Sequence, residues 1–227
     1  MTGDGSRVES GDRMGFRSCC RVRWYAVTTI LGAVVLAVAS LPAAAREPVR
    51  SLLETRRDRV VTQEFDLSCG AAALTTVLRY QFGEEISERD VATTLMQRRE
   101  YIENPLLVNV RQGFSLLDLK RVVDGRGYEG VGFGEMTLDA LLQRVPAIVP
   151  ISTHGYNHFV VVRGMAAGRV LMADPAWGNR TMTADDFRRA WIDYGEFGHV
   201  AFVVTRGGEI APPGDLVPTV RDFLTFN

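Results

Sequence analysis

The spacing of apolar positions along the chain changes near Pro146. Before that point the pattern is helical. Ala71 to Tyr80 is a run of good helix formers, with Asp66 and Ser68 placed to cap its start and Phe82-Gly83 to stop it. Ser87-Glu88-Arg89-Asp90 is a capping-box pattern that opens a second helix through about Arg98. Ser115 to Lys120 opens an amphipathic helix, closed by Gly125 and Gly127, that should pack against the first. Thr137 to Arg144 repeats the pattern with Leu138, Leu141 and Leu142 facing inward. Tyr101 to Gly113 is less regular: Asn104-Pro105 and Gly113 punctuate it while Leu106, Leu107, Val108 and Val110 need cover, so a loop over the site and a short strand both remain open.

After Pro146 come short β-branched and apolar runs, Ala147–Ile151, His158–Arg163 and Arg169–Ala173, separated by Gly155, Gly164 and Gly168. They read as consecutive antiparallel strands. Asp185 to Trp191 is a short helix, and His199 to Val204 a further strand. Helices first and strands second, without alternation, predict an α+β domain in two layers. Arg46 to Val61 is a charged lead-in with Leu52 and Leu53 as its apolar edge, and the tail after Gly207 carries Phe223 and Phe226 as docking points.

The first 45 residues stand outside this pattern. Arg13, Arg17, Arg21 and Arg23 precede an uncharged apolar run from Trp24 to Leu41, and Ala43-Ala44-Ala45 supplies the small residues of a cleavage site. The expectation is an export signal, to the periplasm, with a retained inner-membrane anchor through residues 24–41 as the rival reading. Cleavage would remove five arginines and three acids, moving the net charge from −1 to −3. Neither value gives an electrostatic reason to expect nucleic acid. Cleavage would also remove Cys19 and Cys20, leaving Cys69 as the one thiol of the exported protein. An oxidising compartment normally uses cysteines in pairs, so a leftover one points to intermolecular pairing or a reactive thiol.

Cys69 stands where the first helix should begin, in Asp66-Leu67-Ser68-Cys69-Gly70. The macrodipole and the unpaired N–H groups of a helix N-terminus favour the thiolate, and Gly70 leaves room for a substrate backbone. A free cysteine is also commonly a small buried hydrophobe, so the case rests on what surrounds it. His158 opens the second strand and Asp174 follows the third. If those strands form a hairpin, both residues come from its open end, where a carboxylate can fix the imidazole tautomer and steady the imidazolium. Gln63, six residues before Cys69, is placed to share oxyanion stabilisation with the Cys69 backbone N–H. His154 reads as a loop residue and His199 as structural. A zinc site on Cys69, His154 and His158 lacks the paired short spacings such sites use, so no metal and no cofactor is expected.

These blocks resemble a family. Gln63-x5-Cys69-Gly70-Ala71-Ala72-Ala73-Leu74, then Gly113-Phe114-Ser115-Leu116, His158-Phe159-Val160-Val161-Val162 and Asp174-Pro175-Ala176-Trp177-Gly178 are similar to the bacteriocin-processing, or double-glycine, cysteine peptidases. The resemblance runs from about Val60 to Trp191. It implies a papain-like α+β fold, with a helical layer carrying Cys69 as nucleophile and an antiparallel sheet carrying His158 as base and Asp174 as its orienting acid. It also implies Gln63 in the oxyanion hole and cleavage after a Gly-Gly or similar small-residue pair. The family's domains usually head peptide-exporting ABC transporters, whereas this sequence has neither an array of spans nor a G-x-x-x-x-G-K-[ST] loop. It therefore resembles a standalone, exported member, with residues 1–45 as signal, 46–60 as lead-in, 61–206 as peptidase domain and 207–227 as tail. The expected partner is a peptide or protein substrate, alongside a secretion or functional-amyloid export system, with membrane contact only through the N-terminal segment. An amidase or transamidase of the same geometry and a non-cleaving peptide-binding module are the alternatives.

Overall fold

A computed structural model describes residues 50–153, 155–210 and 214–226. The export segment, Cys19, Cys20 and His154 lie outside the described residues. Among the described residues no helix is long and apolar enough to cross a membrane.

The lead-in is more ordered than its charge run suggested. Ser51 and Glu54 form a capping box that opens a short helix, α1 (Leu52–Arg56). The Cys69 helix follows as α2 (Cys69–Phe82), closed by Gly83 in the left-handed conformation, φ 73°. Every residue from Cys69 to Leu78 is buried, because this helix lies against the sheet rather than on the surface. Ser68 is the N-cap residue, but its side chain makes no capping bond. Its hydroxyl turns instead to the Phe65 carbonyl at 2.7 Å and to the Glu88 carboxylate, so the expected side-chain cap is absent and the start of α2 is held from outside.

The capping box at Ser87 and Asp90 opens α3 (Glu88–Met96) as the sequence predicts, though the helix stops two residues before Arg98. Tyr101 to Gly113 is neither strand nor open loop. It folds as two short helices, α4 (Arg99–Glu103) and α5 (Leu107–Val110), interrupted at Asn104-Pro105. Tyr101 is fully buried, donates to Asp118 at 2.6 Å and meets the Phe114 ring edge-on at 5.5 Å. Asp118 also closes the Ser115 capping box of α6 (Leu116–Gly125) and pairs with Arg98. One buried carboxylate thus ties the irregular segment to α6.

The sheet contains the expected strands and three that the pattern did not reveal. They are β1 (Glu129–Phe133), β2 (Ala147–Thr153), β3 (Tyr156–Ala166), β4 (Arg169–Asp174), β5 (Gly178–Thr183), β6 (Ala201–Arg206) and β7 (Glu209–Ile210). Pairing is antiparallel throughout, in the order β1-β6-β2-β3-β4-β5, with β7 on β6. β1 is broken by glycines in Glu-Gly-Val-Gly-Phe, and β5 is polar, so neither shows an apolar run. The short helices α7 (Leu138–Leu142) and α8 (Ala184–Ala190) cover the second face.

The sheet therefore lies between two apolar clusters, not in two layers. Leu74, Leu78, Val91 and Leu119 pack with Ile148, Val161 and Phe202 on one face. Leu141, Phe187 and Trp191 pack with Val149, Ile151, Val160 and Met172 on the other. This explains why residues 147–151 are all buried, an unbroken run rather than an alternation.

The tail also folds. Thr219 and Asp222 make a capping box for α9 (Val220–Thr225), and Asp222 pairs with Arg59 at 3.0 Å and Arg163 at 3.5 Å. Phe226 is buried, as a docking point should be, and its carbonyl accepts from Thr181 at 2.5 Å; Phe223 is half-buried. Pro218 fills the space above Gly164, where a Cβ would stand 2.7 Å from its ring.

Candidate active site

Cys69 is the first residue of α2, and only 3% of it is exposed. α2 comes close to β3 at this end: a Cβ on Gly70 would stand 3.3 Å from the Phe159 ring. The glycine lets the helix start approach the strand, rather than clearing a path for substrate as the sequence suggested. Cys69, His158, Phe159, Phe114, Leu116 and Tyr194 line one mostly apolar cleft of about 1040 Å³. Arg111, Gln112 and Gly113 form part of its rim, so the segment read as a cleft cover contributes a wall, anchored at its far end by Tyr101.

β3 and β4 form the hairpin that the sequence reading required, with Val161 opposite Ala173. His158 and Asp174 emerge at its open end, and both side chains are fully buried. His158 Nε2 lies 3.1 Å from Asp174 Oδ2. Burial alone would raise the Asp174 carboxyl, but the His158 contact, the Arg180 charge and the Ala176 N–H hold it below its ordinary range. An ionised Asp174 fixes the tautomer: Nε2 carries the proton and donates, leaving the Nδ1 lone pair on the other side of the ring. Nδ1 is buried and has no hydrogen-bond partner. The hairpin thus brings together His158 and Asp174, and the cleft brings His158 to Cys69.

The thiol itself departs from the expectation. Burial pushes Cys69 above its ordinary value, and backbone N–H groups of Phe159, Gly70 and Cys69 pull it only part of the way back. The Asp174 charge adds to the upward push. The helix N-terminus does favour the thiolate, but desolvation of a nearly sealed sulfur outweighs it. The helix start alone therefore does not offset the burial of the sulfur.

Gln63 is held beside the site by its main chain, whose N–H donates to the Pro175 carbonyl at 2.9 Å, next to Asp174. Its side-chain amide donates to the Phe65 carbonyl at 3.3 Å, and its Oε1 is buried without a partner. Its other amide proton faces the Tyr156 hydroxyl, and the residue lies at the edge of the cleft, not among its lining residues.

Three residues near the site escaped the sequence reading. Arg180 on β5 donates from Nε to Asp174 Oδ2 at 2.7 Å. It stands opposite Met172, two residues before Asp174, so both side chains leave the same side of the sheet. Glu88 accepts from the Glu64 N–H at 2.8 Å and from the Ser68 hydroxyl, bracketing the loop between Gln63 and Cys69. Tyr156 stacks on His158. Of these, Tyr156 had a signal, since residues two apart on a strand share a face. His199 stacks on Trp191 at 4.8 Å, away from Asp174, as a structural residue would. Among the described residues no group of three His, Cys, Asp or Glu side chains could hold a metal ion.

Comparison with known proteins follows this geometry. Residues 57–195 match the family model described as the peptidase C39 family. A probable functional amyloid protease, FapD, of Pseudomonas fluorescens is 33% identical over 165 residues, covering 69% of this chain and 68% of the relative. The protein of the same description from Pseudomonas aeruginosa is 34% identical over 143 residues, covering 63% of this chain and 61% of that relative. Among solved structures, a double glycine motif protease from an AMS/PCAT transporter, in complex with the leader peptide, superposes with a TM-score of 0.50 at 23% identity. It covers 65% of this chain and 90% of that one, a likeness of fold.

Proposed function

The chain belongs to the peptidase C39 family and is a cysteine peptidase with a papain-like fold, and from that premise we propose that Cys69, His158 and Asp174 hydrolyse a peptide bond in an exported peptide or protein. The observation that carries this reading is the orientation of His158. Its Nε2 is committed to Asp174, its Nδ1 is left without a partner, and the residue lines the cleft together with Cys69.

In this mechanism His158 Nδ1 takes the proton from the Cys69 thiol as the sulfur attacks the scissile carbonyl carbon. Negative charge develops on the carbonyl oxygen, where the Cys69 N–H is one candidate donor and the Gln63 amide, on turning from the Tyr156 hydroxyl, the other. Collapse breaks the C–N bond, and the His158 imidazolium returns its proton to the departing amine. Water, deprotonated by His158, then attacks the acyl-enzyme and releases Cys69. Asp174 stays ionised throughout and steadies the imidazolium.

The apolar cleft and the family support a substrate segment with small residues at the cut, a Gly-Gly pair in the first instance. The FapD relatives favour a substrate belonging to a functional-amyloid export system, and the N-terminal pattern favours action in the periplasm. The test is cleavage of peptides that carry Gly-Gly or a bulky pair at the same position, read by mass spectrometry, beside iodoacetamide alkylation of Cys69 across pH. Cys69→Ala should abolish cleavage, and His158→Ala should lower it by roughly 100-fold or more. In the His158→Ala protein the thiol should titrate above the ordinary ~8.5, since burial and Asp174 outweigh the backbone N–H groups and no base remains to take the proton. Alkylation profiles that coincide with and without His158 would sink the pairing.

A further inference from the structure

We propose that Tyr156 is a positioning residue for His158, acting through its ring, a role that rests on the Cys–His–Asp reading above. Tyr156 is the first residue of β3 and sits opposite Thr153 in the last pair of the β2–β3 hairpin. Two residues later on the same strand, His158 leaves on the same side. The two rings are stacked, with centroids 5.1 Å apart and planes inclined by 26°. Tyr156 remains 42% exposed, so its outer face borders solvent while its inner face covers the imidazole.

This contact supplies what the rest of the site does not. Asp174 holds the ring only at Nε2, an attachment about which an imidazole can still tilt. The aromatic face restrains that tilt, keeping Nδ1 directed at the cleft. It also presents π-density to the imidazolium that forms when Cys69 gives up its proton, a favourable arrangement for a cation over a ring. The charged and titratable groups around this pair are Cys69 from α2, Asp174 from β4, Arg180 from β5 and Asp66 from the loop before α2. Burial and the neighbouring Cys69 push the Tyr156 hydroxyl above the usual tyrosine range, and the Gln63 amide opposes them. The hydroxyl therefore stays protonated at neutral pH, and the ring adds no charge of its own.

The experiment is iodoacetamide alkylation of Cys69 in the full chain across pH, for wild type, Tyr156→Phe, Tyr156→Ala, His158→Ala and Tyr156→Ala/His158→Ala, with melting curves recorded on each. Phenylalanine keeps the stacked face. Tyr156→Phe should follow the wild-type profile, while Tyr156→Ala should react roughly 2- to 10-fold more slowly at pH 7, with its midpoint displaced toward that of His158→Ala. In the His158→Ala background the Tyr156→Ala change should have no further effect, because the ring acts through the imidazole. The proposal is overturned by a Tyr156→Ala profile equal to wild type, by a Tyr156→Phe profile equal to Tyr156→Ala, or by additive losses in the double variant. The His158→Ala comparison separately reads the Cys–His pairing on which the proposal stands.

Discussion

Arg180 shares with His158 one oxygen of a buried carboxylate, since both contact Asp174 Oδ2. A buried carboxylate with one imidazole and one N–H would be poorly compensated, and the guanidinium keeps it ionised. Asp174 is held below its ordinary range, so its contribution to stability is fully present above the unfolded value of ~3.9 and is lost as pH falls through the folded one. Arg180→Met should therefore lower stability at pH 7 by about 1–3 kcal/mol and make the acid-induced loss shallower. Thermal melts between pH 3 and pH 7 check this, and equal melting points at pH 7 would count against it. The candidate set could be picked out in the sequence because residue type and order point to it: a helix-initiating Cys-Gly, a histidine at a strand start, an aspartate at a strand end. Arg180 could not, because nothing short of the β4–β5 register brings it opposite Met172. Glu88 was hidden for another reason: an acid in the first turn of α3 is accounted for by the helix dipole, without the long-range bonds it makes.

At the scale of elements, the lead-in and the tail hold the site from behind. Arg163 on β3 is 1% exposed and donates to the Leu216 carbonyl and to Asn179 Oδ1, each at 2.9 Å. Burial pulls its pKa down to about 10, and the Asp222 charge opposes that fall. Asn179 donates in turn to the Asp58 carbonyl, and Arg59 pairs with Asp222, so α1's connection, β3, β5 and α9 meet at one polar knot. Asp222→Ala leaves Arg163 buried with its counter-charge removed, a change that typically costs about 3–5 kcal/mol. Differential scanning calorimetry should show a melting point lower by about 6 °C or more at this chain length. A shift within 1–2 °C would mean that Arg163 is satisfied by its carbonyl and amide partners alone. Little in the residue pattern points to this knot. Its members span residues 58 to 222, too far apart in the chain for any local pattern to join them.

The molecule as a whole extends beyond the segment that carries the family likeness. The matched region ends at residue 195, yet β6 at Ala201–Arg206 lies inside the sheet, where it joins β1 to β2. Its Phe202 belongs to the cluster on the α2 face and its Val203 to the cluster on the other. A strand between two neighbours cannot be removed without exposing both backbone edges and opening both cores. A chain ending at residue 195 should therefore fail to fold, giving insoluble protein or one without a cooperative melt. A chain ending at residue 210 keeps β6 and β7 but loses α9, Leu216 and Asp222; it should fold with a lower melting point, because Arg163 and Arg59 lose their partners while both apolar clusters keep their strands. Parallel melting curves of the two truncations and the full chain separate these outcomes. If the chain ending at residue 195 melted cooperatively near the full-length temperature, β6 would be an accessory strand. The β3–β4 hairpin that carries His158 and Asp174 would then be supported by β2 and β5 alone.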